Sequence, residues 1–256
     1  MILDCHVHLP SPGLEQAWEW APFTPDTAAA IKYLKRCGVE RAIANTMRGE
    51  LAKTPEEMRA GNDEAMQAAK DYPAFIVPAF LVNADLGKDA LAEIKRCHQA
   101  GLVWMGELCG YASGYTYDTD NFARVAALAS DLNLVVQIHS EGTEMDRICG
   151  EFPKVTWVLA HIGDSPEECR KRCELAARHQ NLCLDVCGHG IQRMGVLDYA
   201  VKCAGPDRVL FGSDYTINDP AAVIATIHAS YLSDEVKGKV LGGNAVRMLA
   251  ERGVAL

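Results

Sequence analysis

Short apolar runs alternate with amphipathic stretches along almost the whole chain. Runs of three to seven residues rich in Val, Ile, Leu and Ala, with no polar alternation, predict strands covered on both faces. Eight of them stand out: 2–8, 41–45, 75–81, 102–108, 134–138, 155–160, 182–187 and 209–211. Between them the apolar positions recur at helical spacing, over 26–38, 55–71, 86–100, 120–132, 143–149, 166–179 and 191–203. Residues 220–256 read as two or three further helices. Strand after helix after strand implies parallel strands joined by crossovers. Eight such units predict an α/β fold, a (β/α)8 barrel with extra C-terminal helices, as one domain over residues 1–256.

The polar residues that interrupt this pattern fall at one kind of place. His6 and His8 close the first run, in Asp4-Cys5-His6-Val7-His8. Residues two apart on a strand share a face, so the two imidazoles form half of a metal site. His139 follows the fifth run, His161 the sixth and Asp214 the eighth, and Glu107 lies near the end of the fourth. In a parallel barrel all these positions lie at the C-terminal face, where active sites are built. A lone histidine at a strand end is ordinarily a satisfied polar residue. Five such residues, His6, His8, His139, His161 and Asp214, converging in a chain with eight histidines point to a divalent cation, with Glu107 as a sixth candidate ligand. Imidazole and carboxylate donors suit zinc first, with manganese or iron(II) as alternatives, at one or two ions per chain.

Composition narrows the class. The 256 residues are 49% apolar and 23% charged, with a formal net charge of −9. That balance disfavours nucleic acid or an anionic membrane as partner. No uninterrupted apolar stretch is long enough to span a bilayer, and no basic-then-apolar leader is seen, so a cytoplasmic enzyme acting on a small molecule is expected. The ten cysteines are scattered without a CxxC pair and read as small buried hydrophobes in a reducing compartment.

Candidate substrate contacts lie on the loops after the strands. Arg48 either clamps a substrate carboxylate or is a solvated loop charge. Tyr111, Tyr115 and Tyr117 offer donors and stacking faces, or form a small loop core. His189, in Cys187-Gly188-His189-Gly190, and Arg193 are further candidates. The long loop after the first strand, with Trp18 and Trp20, is either a lid or a packed-down loop.

Together with Ile138-His139, Leu159-Ala160-His161-Ile162-Gly163, Phe211-Gly212-Ser213-Asp214 and the tail Leu241-Gly242-Gly243-Asn244-Ala245-Val246-Arg247-Met248-Leu249, the Asp4–His8 motif resembles the amidohydrolase superfamily. The tail resembles its amidohydrolase-related branch. The resemblance implies that His6 and His8 bind the more buried metal and that Asp214 is both ligand and general base. It makes His139 a ligand, and His161 either a second-site ligand or a hydrogen bond to the substrate carbonyl. Many binuclear members carry a carboxylated lysine on strand 4. This chain has Glu107 there, either a bridging ligand or a structural carboxylate paired with an arginine, and Gly106-Glu107 resembles the TatD-like deoxyribonuclease branch.

The expected reaction is hydrolysis of an amide, lactone or ester by metal-activated water, with Asp214 and His161 as catalytic residues. Three alternatives stand: a non-redox decarboxylase of an aromatic or unsaturated acid, a metal-dependent nuclease, and a silent barrel that only binds. Barrels of this kind are often homodimers, and that state is left open.

Overall fold

The computed structural model describes residues 1–14 and 26–256. The tryptophans Trp18 and Trp20 lie outside the described residues. Among the described residues, eight parallel strands run in chain order: β1 (Leu3–Leu9), β2 (Arg41–Thr46), β3 (Ile76–Pro78), β4 (Trp104–Leu108), β5 (Val135–Ile138), β6 (Thr156–Leu159), β7 (Leu182–Asp185) and β8 (Val209–Leu210). Ladders link β1-β2-β3 and β4-β5-β6-β7-β8. Backbone hydrogen bonds close the ring at both seams. Phe80 donates to Trp104 and Gly106 to Phe80 on one side; Cys5 donates to Phe211, Asp214 to His6 and His8 to Tyr215 on the other. The molecule is a (β/α)8 TIM barrel, as the alternating pattern predicts.

Local chemistry explains where the helices begin. The helix Pro55–Asp71 opens on a capping box between Thr54 and Glu57 with proline at its first position, and Pro166–Arg178 repeats the device with Ser165 and Glu168. One helix differs from expectation. The stretch 191–203 is not continuous: a 3-10 turn, His189–Gln192, precedes the helix Val196–Ala204, with Gly195 in left-handed backbone between them. A glycine there breaks the helical run that apolar spacing alone suggests.

The chain's last helix, Asn244–Ala250, seals the end of the barrel away from the histidines. Its Ala245, Met248 and Leu249 pack with Ile43, Val77, Val135, Val158, Cys183 and Leu210. Asn244 donates to the carbonyls of Pro206 and Val209, and Arg252 to Asn133 and the Thr156 hydroxyl, all at the starts of strands. One end is thus plugged by apolar contact, and the other is free to carry polar chemistry. No helix among the described residues is long and apolar enough to cross a membrane. All ten cysteines are free thiols, eight of them buried.

Candidate metal centre

Strand geometry delivers the site. On β1, Asp4, His6 and His8 occupy alternate positions and are buried, as strand parity requires of one face. β4 contributes Glu107, and the residues just past β5, β6 and β8 contribute His139, His161 and Asp214. Four donor groups meet on the inner side. His6 Nε2 lies 3.1 Å from His8 Nε2, 3.0 Å from Glu107 Oε2 and 3.6 Å from Asp214 Oδ1. His8 Nε2 lies 3.6 Å from Glu107 Oε2 and 3.3 Å from Asp214 Oδ1. The other Glu107 oxygen, Oε1, lies 3.2 Å from both His139 Nδ1 and His161 Nε2, which are 3.1 Å apart. Glu107 therefore faces two groups at once, and among the described residues no arginine pairs with it. The inner rings are 0% and 3% exposed, the outer ones 30% for His139 and 18% for His161, so solvent reaches the second group only.

Hydrogen bonds behind the inner rings set their chemistry. Trp104 Nε1 donates to Gln137 Oε1, which leaves the Gln137 amide to donate to Asp185 Oδ2. Asp185 Oδ2 also takes the His6 Nδ1 hydrogen, at 2.6 Å. Asn45 is oriented the same way: its amide donates to the Gly106 carbonyl, so its Oδ1 accepts from His8 Nδ1 at 2.9 Å. With both Nδ1 atoms donating, both Nε2 atoms present lone pairs to the same point. Two imidazole lone pairs and two carboxylate oxygens facing one another are stable only around a cation or around protons. Asp214 Oδ1 is buried there with no hydrogen-bond partner. This donor set fits a divalent cation, and His6, His8, Glu107 and Asp214 would hold it.

The electrostatics of the nest accommodate the proton-filled alternative. Burial alone would depress His8, but Asp214 and Glu107 outweigh it and push it up to about 10. His6 is raised in the same way, against burial, by Glu107 and Cys187. Burial opposes ionisation of Glu107, yet the facing imidazoles hold its carboxyl well below the usual range. His161 is also raised against burial, by Cys187 and Glu107.

Close backbone approach is built in. A Cβ at Gly106 would sit 2.2 Å from the Gln137 carbonyl, and one at Gly212 2.4 Å from Asp185 Oδ1. His161 and Asp214 themselves adopt left-handed backbone, with φ of 64° and 61°. That conformation costs roughly 1–2 kcal/mol for a residue with a Cβ. Arg172 secures the first, donating to the carbonyls of Ala160 and His161. Asp4 braces the second: its carboxylate accepts from the backbone of His6 and Ser213 and from the Ser213 hydroxyl. Asn218 donates to Asp214 Oδ2 at 3.0 Å.

The substrate-side candidates scatter. Tyr111 is 67% exposed and stands edge-on to His139, ring centroids 5.0 Å apart. Tyr115 is buried against Tyr117, whose hydroxyl contacts the carbonyls of Leu108 and His139. His189 is exposed in its 3-10 turn. Arg48 is engaged elsewhere: its Nε donates to Glu64 at 2.6 Å and its Nη2 to the Pro12 carbonyl. Arg193 binds the Asp164 carbonyl. The sequence reading omitted Asp185, Asn45, Gln137 and Glu50. Glu50 is buried 3.8 Å from His8 Nδ1, one oxygen has no partner, and burial pushes it up to about 7. Strand parity is the signal that finds Asp185 and Cys187, which share a face of β7 and its extension.

The sequence matches the profile of the amidohydrolase family over residues 3–250. The chain belongs to that family. No curated protein matches it. Among solved structures, it is similar to a 2,6-dihydroxybenzoate decarboxylase complexed with 2,6-dihydroxybenzoate, at 15% identity and TM-score 0.80, covering 98% of each chain. A 5-carboxyvanillate decarboxylase from Sphingomonas paucimobilis matches at 16% identity and TM-score 0.80, over 97% of this chain and 98% of the other. A dihydroxybenzoic acid decarboxylase from Polaromonas, with bound manganese and the inhibitor 2-nitroresorcinol, matches at 15% and 0.78, over 97% and 96%.

Proposed function

We propose that this chain is a metal-dependent, non-redox decarboxylase of a small aromatic or unsaturated acid, working with one cation in the inner nest. The observation that carries the reading is whole-barrel similarity to benzoate-type decarboxylases, one of them manganese-bound, combined with an inner nest of divalent-cation donors. A bound divalent cation supplies a fixed positive charge for the substrate's carboxylate and neighbouring oxygens.

The chain's own groups do the rest. His6, His8, Asp214 and Glu107 hold the charge in place, and Asp185 and Asn45 keep the two inner rings facing it. Asp214, buried and steadied by Asn218, would take a proton from the incoming carboxylic acid or from water and pass it to the carbon as its bond to the carboxylate breaks, leaving Asp214 ionised again. The products are carbon dioxide and the protonated ring, so no oxidant or reductant is consumed. His161, partly open to solvent, faces the substrate side and donates a hydrogen bond to it.

Hydrolysis of an amide, lactone or ester remains the second reading, and one observation favours it. Glu107 turns one oxygen to each histidine pair, the arrangement of a carboxylate shared by two cations. The deciding experiment loads the purified protein with manganese or zinc and offers hydroxybenzoates alongside simple lactones, amides and esters. Release of carbon dioxide, lost in Asp214→Asn, supports decarboxylation. Turnover of a lactone, amide or ester with no carbon dioxide overturns it.

A further inference from the structure

Three of the site's imidazoles differ in what stands behind them. His6 gives its rear hydrogen to a carboxylate, Asp185, and His8 gives its own to an amide oxygen, Asn45. Both partners are acceptors, so both rings turn a lone pair inward. Behind His161 stands a thiol. Cys187 Sγ is 3.1 Å from His161 Nδ1, and among the described residues the next side-chain group near that nitrogen is Asp214 Oδ2 at 3.9 Å. A thiol has one hydrogen to give and is a weak acceptor.

Where that hydrogen goes is constrained by its other neighbours. Cys187 Sγ also lies 3.4 Å from His6 Nδ1 and 3.4 Å from Asp185 Oδ2. The His6 nitrogen already donates, and the Asp185 oxygen already accepts from His6 and Gln137. The shortest contact, and an open acceptor, is His161 Nδ1. Occupying Nδ1 as an acceptor forces the hydrogen of a neutral His161 onto Nε2. A doubly protonated ring, whose Nδ1–H the sulfur would accept, carries a hydrogen on Nε2 as well. Only the tautomer with its hydrogen on Nδ1 leaves a lone pair on Nε2 for a cation, and that tautomer points N–H at S–H.

We propose that Cys187 is a positioning residue that keeps a hydrogen on His161 Nε2, so that His161 is a hydrogen-bond donor to Glu107 and substrate and not a cation ligand. Glu107 Oε1, 3.2 Å from His161 Nε2, is the resting acceptor of that hydrogen. The strand β7 and its extension then supply no ligand. Through Asp185 and Cys187 they assign opposite roles to rings borne by two other strands. This deepens the reading of a single inner cation and rests on it, but its test does not depend on turnover.

The test is nitrogen NMR of the cadmium-loaded, full-length protein with isotopically labelled histidine, His161 being assigned by its loss in His161→Gln. Cadmium should couple to the nitrogens of His6 and His8 and not to His161, whose Nε2 should carry a hydrogen. Cys187→Ser, whose hydroxyl also donates, should keep that pattern. Cys187→Ala should lose the Nε2–H preference. Cadmium coupling to His161 in the wild-type protein would overturn the proposal without any variant having to fold. So would an Nε2–H signal undiminished in Cys187→Ala. If the protein proves to be a hydrolase and the wild-type pattern still holds, the decarboxylase reading fails and the role of Cys187 stands.

Discussion

The two faces of Glu107 make different environments from similar residues. On the inner face, His6 and His8 are buried, backed by Asp185 and Asn45, and joined by Asp214. On the outer face, His139 and His161 are partly exposed; a thiol stands behind one, and an exposed tyrosine edge meets the other. Counting donor atoms does not separate the two. The difference lies behind the rings: on the proposed reading, acceptors there turn an imidazole lone pair toward a cation, and a donor turns an imidazole hydrogen toward it instead.

The sharpest break of this contrast is removal of an inner ligand. Asp214→Asn should lower turnover by about 10²–10⁴-fold, and His8→Ala should release the cation altogether, read by elemental analysis. Retention of a full cation equivalent in His8→Ala would mean that the outer face is the true centre. Next comes the support behind the ring. Asp185→Asn should weaken cation binding by about 10–100-fold while the fold persists, measured by competition with a chelating dye.

Acidity tests the same nest. Protons held on His8, whose value stands near 10, and on His6 must leave before a cation enters. Affinity should therefore fall as pH is lowered, by roughly tenfold per unit for each proton displaced. Titration calorimetry in buffers of different ionisation heat counts those protons, and a pH-independent affinity would refute the filled nest. Metal content of Glu107→Gln is the finer discriminator. About one equivalent in wild type, weakened but still single in the variant, fits an inner-only centre; two falling to one would make both faces ligands. The smallest effect is expected at Arg48→Ala. Its guanidinium is committed to Glu64, so substrate KM should move less than about twofold and stability by about 1 kcal/mol or less.

Much of this was legible before any coordinates. Apolar runs located all eight strands, because a strand covered on both faces needs them, and the capped helix Pro55–Asp71 was readable to its ends. Glu107 and the five residues around it stand out in the sequence because histidine and carboxylate at strand ends are chemically conspicuous. Asp185 escaped because it sits inside an apolar run, and Asn45 because an amide announces no chemistry by itself. Their roles exist only once strands distant in sequence stand side by side. Arg48 is the converse case: its partner Glu64 lies on the neighbouring helix, and sequence alone leaves such a charge looking free.

The seam between β1 and β8 has a further consequence. Asp4 grips Ser213 across 209 positions of sequence, and His6 faces Asp214 over the same join. A chain that has not yet brought its eighth strand against its first has no complete nest. A cation held there would bind the closed ring and not the open one, and so would favour closure of the barrel by mass action.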